Sequence, residues 1–444
     1  MLDPGDTTVS MQALSVVAIA LAATACAWLV SSVYSRFWAG VATAIAAAAA
    51  LAEPSVSYGG GMTELFGVTG LAVCIAMIGG MLQHRPGLIW PAVAGAGFAW
   101  AIGCSLLSVA AVPALALLWL SIPIDSGPYA LTRSRWRTSI HRRLFDQRLA
   151  AAIAGAAAVS LVVWWPVLAS GALPAAVDAL VKYNELYSAA NSYGMAVRTL
   201  KDSIGYLSPL WLPTLVVCAI PTAGRRLLGF NVARSNLAWA AVLWLVAELA
   251  LLMLGRRFAA HSLPLFVPPL ALLFGFTLCS LWSERPLIRR LAVGWAMCAA
   301  VALGLGWQLR PAPPTDSQIA ANAQLAAYVR ANSAPGDTIY VWGADPDIYL
   351  RSDRDPAGPY FELYALIMPG YDSQAVATML RSWQAHPPRL IVTSRSTTAD
   401  TVGLFPLVGD LTSDPALEPL RTFVTSHYDL VATFDVGEVW RYRA

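Results

Sequence analysis

RSRWRTSIHRRLFDQR, Arg133 to Arg148, packs six arginines into sixteen residues between the apolar runs Leu106–Pro123 and Leu149–Ser170. A loop this basic resists translocation and stays on the cytoplasmic side, so it fixes the hand of the helices around it. Counting outward in both directions, alternate loops between the apolar runs hold fourteen arginines. They include Arg36, Arg85, Arg225, Arg226, Arg234, Arg285, Arg289 and Arg290. The opposite loops hold only Lys182, Arg198, Lys201, Arg256 and Arg257. The pattern is that of a multi-span membrane protein with both termini outside.

Composition agrees. The chain is 57% hydrophobic and 12% charged, more apolar than a water-soluble domain of 444 residues needs. The net charge of +3 hides two opposed parts, because from Arg310 onward 10 Lys+Arg face 15 Asp+Glu. An acidic tail gives no surface for nucleic acid, while the basic loops suit anionic lipid headgroups. All six cysteines lie in apolar runs, without disulfide or zinc spacing.

A span needs about 20 apolar residues. That rule gives ten: Met11–Val33, Phe37–Ala52, Leu65–Leu82, Leu88–Cys104, Leu106–Pro123, Leu149–Ser170, Ile204–Ile220, Leu237–Gly255, Leu263–Trp282 and Leu291–Trp307. Leu88 to Pro123 is too long for one crossing and must turn back near Gly103–Ser108. The expected fold is an α-helical multi-span membrane bundle over 1–309 with a C-terminal external α/β domain over 310–444. In the tail, periodicity predicts a helix after Thr315 or Asp316, with Ile319, Leu325, Ala326 and Val329 on one face. It also predicts strands at Asp337–Gly343 and Arg389–Ser394 and helices at Ser373–Ala385 and Leu417–Tyr428. Leu430–Phe434 and Val439–Tyr442 form a closing hairpin around Val436-Gly437.

Chemistry has few places to sit. Glu53 and Glu64 bracket an external turn, EPSVSYGGGMTE; Glu64 also reads as an ordinary charge at a helix start. GRRFAAHSLPLFVPP (Gly255 to Pro269) puts Arg256, Arg257 and His261 at an outer helix junction against the charge bias. Guanidinium forks there suit a phosphate, or else snorkel to lipid headgroups. Glu248 interrupts the apolar run WLVAELALLM, which makes it a functional hypothesis by default, unless it pairs with a neighbouring helix or reaches the outer interface. In KYNELYSAANSYG, Tyr183, Asn184, Glu185 and Tyr187 suit sugar hydroxyls, and equally an interfacial loop with aromatic anchors. Asp345, Asp347, Asp353 and Asp355 do not match a calcium loop, and no metal cluster stands out.

With its spans, its external TELF after a glycine turn, GRRFAAHSLPLFVPP, DTIYVWGADPDIYLRSDR and the closing YDLVATFDVGEVWRYR, the chain resembles bacterial membrane glycosyltransferases of the GT-C superfamily. The type it resembles is the protein O-mannosyltransferase-like one. The resemblance implies transfer of a sugar from a polyprenyl-phosphate donor at the external face of the plasma (inner) membrane. It implies donor-phosphate binding at Arg256, Arg257 and His261, with Glu53 and Glu64 as candidates for the catalytic base and no certain cofactor, a divalent metal staying open. The acceptor, whether glycan, lipid or protein, is left unassigned. The family often has His-Tyr where this chain has His261-Ser262. Its members also begin with a cytoplasmic N-terminus, a first helix and an acidic catalytic loop. Here Leu2 to Val17 reads as the end of that loop, so the expectation is a chain lacking the first helix and the loop, and inactive as it stands. The alternative is a non-catalytic membrane scaffold or a lipid-linked-sugar-binding protein.

Overall fold

The computed structural model describes residues 7–34, 36–52, 63–81, 87–121, 147–190, 232–255, 260–282, 315–343, 345–361, 363–368, 370–394, 415–434 and 437–443, with isolated positions between 194 and 212. They divide into two compact units. The first comprises Met11–Leu173 and Asn191–Arg310. The second comprises Met1–Ser10, Pro174–Ala190 and Pro311–Ala444.

In the first unit the apolar runs become α1 (Thr7–Tyr34), α2 (Phe37–Ala52), α3 (Thr63–Met81), α4 (Ile89–Cys104), α5 (Val112–Ser121) and α6 (Gln147–Ala169). Among the described residues five helices, including one over Leu237–Leu254 and one over Ser262–Cys279, are long and apolar enough to cross a membrane, and three more apolar helices are shorter. Together they form a helical, membrane-like bundle. Of the ten expected spans, Leu291–Trp307 lies outside the described residues, and Ile204–Ile220 is described only at Leu207 and at 210–212.

Between helices that are apolar all round, burial of greasy surface gives no direction to packing, and small residues decide which backbones meet. A Cβ on Gly70 would lie 2.4 Å from the carbonyl oxygen of Gly97, which brings α3 against α4. A Cβ on Gly95 would lie 1.9 Å from Ala152 O, and one on Gly155 2.0 Å from Ala92 O, which brings α4 against α6. Trp28 and Trp90 stack at 5.7 Å between α1 and the start of α4. The turn between Gly103 and Ser108 is real: Ser105 is extended (φ −152, ψ 119) and Leu106–Ala111 is a 3-10 turn leading into α5. Ser108 Oγ donates to Ala101 O at 3.1 Å, and Ser105 N donates to the same oxygen at 2.9 Å. Those bonds occupy a carbonyl at a helix end where the hydrocarbon offers no water.

In the second unit α7 (Leu173–Asp178), a π turn (Ala179–Tyr183) and α8 (Asn184–Ala190) form a strap. The first unit also contains α9 (Val232–Leu254), a 3-10 turn (Ala260–Phe266) and α10 (Val267–Trp282). The tail then runs through α11 (Thr315–Ala331), β1 (Thr338–Trp342), α12 (Asp347–Ser352), β2 (Asp355–Pro356), α13 (Asp372–Ala385), β3 (Leu390–Ser394), α14 (Glu418–His427), β4 (Tyr428–Phe434) and β5 (Gly437–Tyr442). The sheet order is β2-β1-β3-β5-β4, parallel from β2 to β3 and antiparallel beyond. Strand alternation sends Ile339, Val341, Leu390 and Val392 to one face, where Leu325, Ala326 and Val329 of α11 cover them. Tyr340, Trp342 and Ile391 face the other way, into a core with Met379 and Trp383 of α13 and Phe423 and Val424 of α14. The tail is a mixed α/β sheet with helices packed on it.

Candidate functional site

The N-terminus of α3 carries Glu64, half-buried, its carboxylate accepting a bond from Thr63 Oγ1 at 3.1 Å. The C-terminus of α4 lies beside it. Trp100 Nε1 donates to Phe66 O at 3.1 Å, a Cβ on Gly67 would approach Ala101 O and Ser108 Oγ to 3.3 Å, and Glu64 acts electrostatically on Cys104. The 106–111 turn therefore sits at this same end. α9 packs on that turn, and the 260–266 turn packs on α3, α9 and α10. The start of α3 with Glu64 and the α4–α5 turn thus share one end of the bundle, and the segment containing His261 and the buried Ser262 packs on α3. Glu53, Arg256 and Arg257 lie outside the described residues, as do the side chains of His261 and Tyr187.

The loop residues read as sugar contacts fall in the other unit. Tyr183 sits edge-on to Tyr371 with ring centroids 5.7 Å apart. Asn184 Nδ2 donates to Leu180 O at 2.8 Å, and Glu185 is exposed. Around them is a cluster that sequence reading missed. Tyr371 Oη donates to Asp178, Lys182 Nζ donates to Gln374 Oε1 at 2.6 Å, and the same ammonium lies 5.5 Å over the Tyr371 ring. Tyr360 closes the group edge-on to Tyr371 at 6.3 Å. Burial, then the Asp178 carboxylate, then Tyr360 push the Tyr371 phenol above its ordinary range. No local signal could have announced these pairs, since Asp178 and Tyr371 are 193 residues apart.

Two other features of the tail concern structure. Arg354 is buried and donates to Ser333 Oγ at 2.9 Å, Ser333 O at 2.7 Å, Asp353 O at 2.7 Å, Ser352 O at 3.2 Å and Arg330 O at 3.2 Å. It ties the ends of α11 and α12 together. Asn322 Nδ2 bridges Asp345 and Asp347 at 3.1 and 3.2 Å, and Asp347 also pairs with Arg351 at 3.1 Å. Among the described residues no group of three His, Cys, Asp or Glu could hold a metal ion. A recess of about 370 Å³ among α3, α4, α5 and α6 is lined by Ile78, Phe98, Leu115, Trp119 and other apolar side chains, a surface for a hydrocarbon chain and not for a phosphate.

The sequence matches no protein-family profile and no curated protein. Its fold is similar to that of a solved ArnT from Cupriavidus metallidurans bound to undecaprenyl phosphate. The two share 16% identity and a TM-score of 0.54, over 98% of this chain and 86% of that one. An oligosaccharyltransferase from Archaeoglobus fulgidus, solved with zinc and sulfate, aligns over 87% of this chain and 56% of that one at 13% identity and TM-score 0.46.

Proposed function

We propose that this chain is a GT-C-type glycosyltransferase that takes a sugar from a polyprenyl-phosphate donor at the external face of the plasma membrane. The observation that supports this most is the likeness of its whole length to an enzyme solved with undecaprenyl phosphate. The chemistry asks for two things. Cationic groups must neutralise the departing phosphate, and a base must take the proton of the acceptor hydroxyl. Arg256, Arg257 and His261 fill the first role in this reading, and Glu53 or Glu64 the second. The turn in which His261 lies packs on α3, the helix that carries Glu64, which favours one site over two. The external domain spans 310–444, joined by the strap, whose Tyr183, Asn184, Glu185 and Tyr187 are proposed to lie toward sugar or acceptor.

The full chain in lipid nanodiscs tests it. Undecaprenyl phosphate should bind, and the double variant Arg256→Ala/Arg257→Ala should weaken binding by tenfold or more, since each charged contact is worth about 1.5–3 kcal/mol. With an undecaprenyl-phosphate-linked sugar and a cell-envelope extract as acceptor, Glu64→Gln or Glu53→Gln should slow transfer about 10²–10⁴-fold. Unchanged binding in the arginine variant discards the phosphate site. Binding without any transfer turns the reading toward a lipid-linked-sugar-binding protein.

A further inference from the structure

Glu248 is the most deeply placed acid among the described residues. Its exposure is 0%, and neither carboxylate oxygen has a hydrogen-bond partner among them. Along α9 the buried positions are Leu237, Ala238, Ala240, Ala241, Trp244, Glu248 and Leu252, while Trp239, Val246 and Leu249 are exposed. The acid therefore belongs to the stripe that faces protein, not the stripe that faces lipid. Trp244, one turn earlier, is near enough to act on the carboxylate but outside hydrogen-bond geometry, and its own Nε1 is likewise unpartnered.

A carboxyl in this position is costly, because an apolar interior offers nothing in exchange for lost water. Leucine or glutamine would fit the stripe at lower cost. Six residues separate Glu248 from the end of α9, about 9 Å along the axis. That end leads within three residues to Arg256 and Arg257, the pair proposed to hold the donor phosphate, and α9 packs on both the 106–111 and 260–266 turns. So an acid without hydrogen-bond donors among the described residues stands about two turns of helix before the segment proposed to bind a lipid-linked headgroup.

We propose that Glu248 is a sugar-reading carboxyl, taking its hydrogen bonds from hydroxyl groups of the sugar carried on the polyprenyl-phosphate donor. The proposal rests on the donor class put forward above and adds to it a residue that distinguishes the loaded carrier from the empty one. A buried group built to bond a hydroxyl rejects ligands that lack it far more strongly than an apolar contact does. Two consequences separate this role from a structural one. Removing Glu248 should abolish discrimination between loaded and empty carrier. It should also leave the ligand-free protein no less stable, since an unpartnered buried acid opposes folding.

The full chain in nanodiscs is titrated with undecaprenyl phosphate and with undecaprenyl-phosphate-linked glucose, in wild type, Glu248→Leu and Glu248→Gln. Wild type should bind the sugar-bearing lipid at least tenfold more tightly. Glu248→Leu should lose that preference with unchanged affinity for undecaprenyl phosphate and a ligand-free thermal midpoint equal to wild type or higher. Glu248→Gln, which keeps one acceptor oxygen, should fall between. Three results overturn the proposal alone: a preference retained in Glu248→Leu, a wild type that binds both lipids equally, or a lowered midpoint with equal loss of both lipids. A wild type that binds neither lipid overturns the donor class itself, and this proposal with it.

Discussion

The membrane unit and the tail unit use close approach in opposite ways. In the bundle, α4 and α6 meet because neither Gly95 nor Gly155 carries a side chain, so the contact is backbone on backbone. In the tail, large side chains fill the space: Trp383 is fully buried, lies 5.1 Å from the Tyr340 ring and donates from Nε1 to Ala357 O at 3.2 Å. The difference follows from the solvent. Lipid is as apolar as leucine, so helices in a bilayer gain from tight fit and not from burial. The tail folds against water, where each buried aromatic ring contributes by leaving it. Tolerance to change should therefore differ between the units.

The largest effect is expected where backbone meets backbone. In Gly155→Val the added Cβ would stand 2.0 Å from Ala92 O, and a carbonyl within a helix cannot swing aside as a side-chain tip can. Overpacking of this kind costs about 1–3 kcal/mol and sometimes more. The purified protein in detergent should show a lowered thermal midpoint or aggregate on size exclusion. Gly336→Ala is the control from the tail, where nothing lies within 4 Å of the added methyl. It should leave the midpoint unchanged. A tolerant Gly155→Val would mean that α4 and α6 do not touch as described.

How much of this was legible in the sequence also divides along the two units. Apolar run length located Phe37–Ala52 and Leu88–Cys104 nearly to the residue, and the break at Gly103–Ser108 followed from length alone. It could not say which helices touch, because a helix apolar on every side has no preferred face. Gly70, Gly95, Gly97 and Gly155 carry that information, and each is an ordinary glycine until its partner is known. In the tail, short β-rich runs between turn residues located β1 and β3, which are covered on both faces, and amphipathic patterns located α11, α13, α14 and the β4–β5 hairpin, whose outer faces are exposed. The short α12 and the two-residue β2 escaped, being too brief for a period to show. Arg354 escaped as well, since its partners are carbonyl oxygens from two separate segments. The strap escaped for a related reason. KYNELYSAANSYG reads as a loop, yet its Tyr183 and Leu186 pack against the tail core.

A middle-sized effect should separate that strap from an ordinary loop. Tyr371→Ala removes the ring under Lys182, the edge contact with Tyr183 and the hydroxyl bond to Asp178 together. Tyr371→Phe removes only the last, worth about 0.5–1.5 kcal/mol. Limited trypsin digestion of the full chain reads the difference at Lys182, whose ammonium is otherwise held by Gln374. Cleavage there should be slow in wild type, somewhat faster in Tyr371→Phe and fast in Tyr371→Ala. Equal rates in all three would detach the strap from the tail.

The smallest effect is expected from a single charge at the tail surface, where water blunts what the bundle would amplify. Asp347 is pushed above the ordinary aspartate range by burial and by Asp345, opposed by Arg351 and Asn322. An acid whose pKa is raised on folding adds stability that is fully present below its unfolded pKa and lost as pH rises through the folded value. At neutral pH the ionised Asp347 therefore opposes folding. Asp347→Asn removes that opposition, and it also removes the ion pair with Arg351, which at 23% and 36% exposure is a weak one. The variant should then melt slightly higher than wild type at neutral pH, and the gap should close as pH falls below the ordinary aspartate range, where both side chains are neutral. Thermal melts of the two proteins across that window check the sign. A variant that melts lower at neutral pH would mean that the Arg351 pair outweighs burial, and that even in the wet unit a surface ion pair can set the balance.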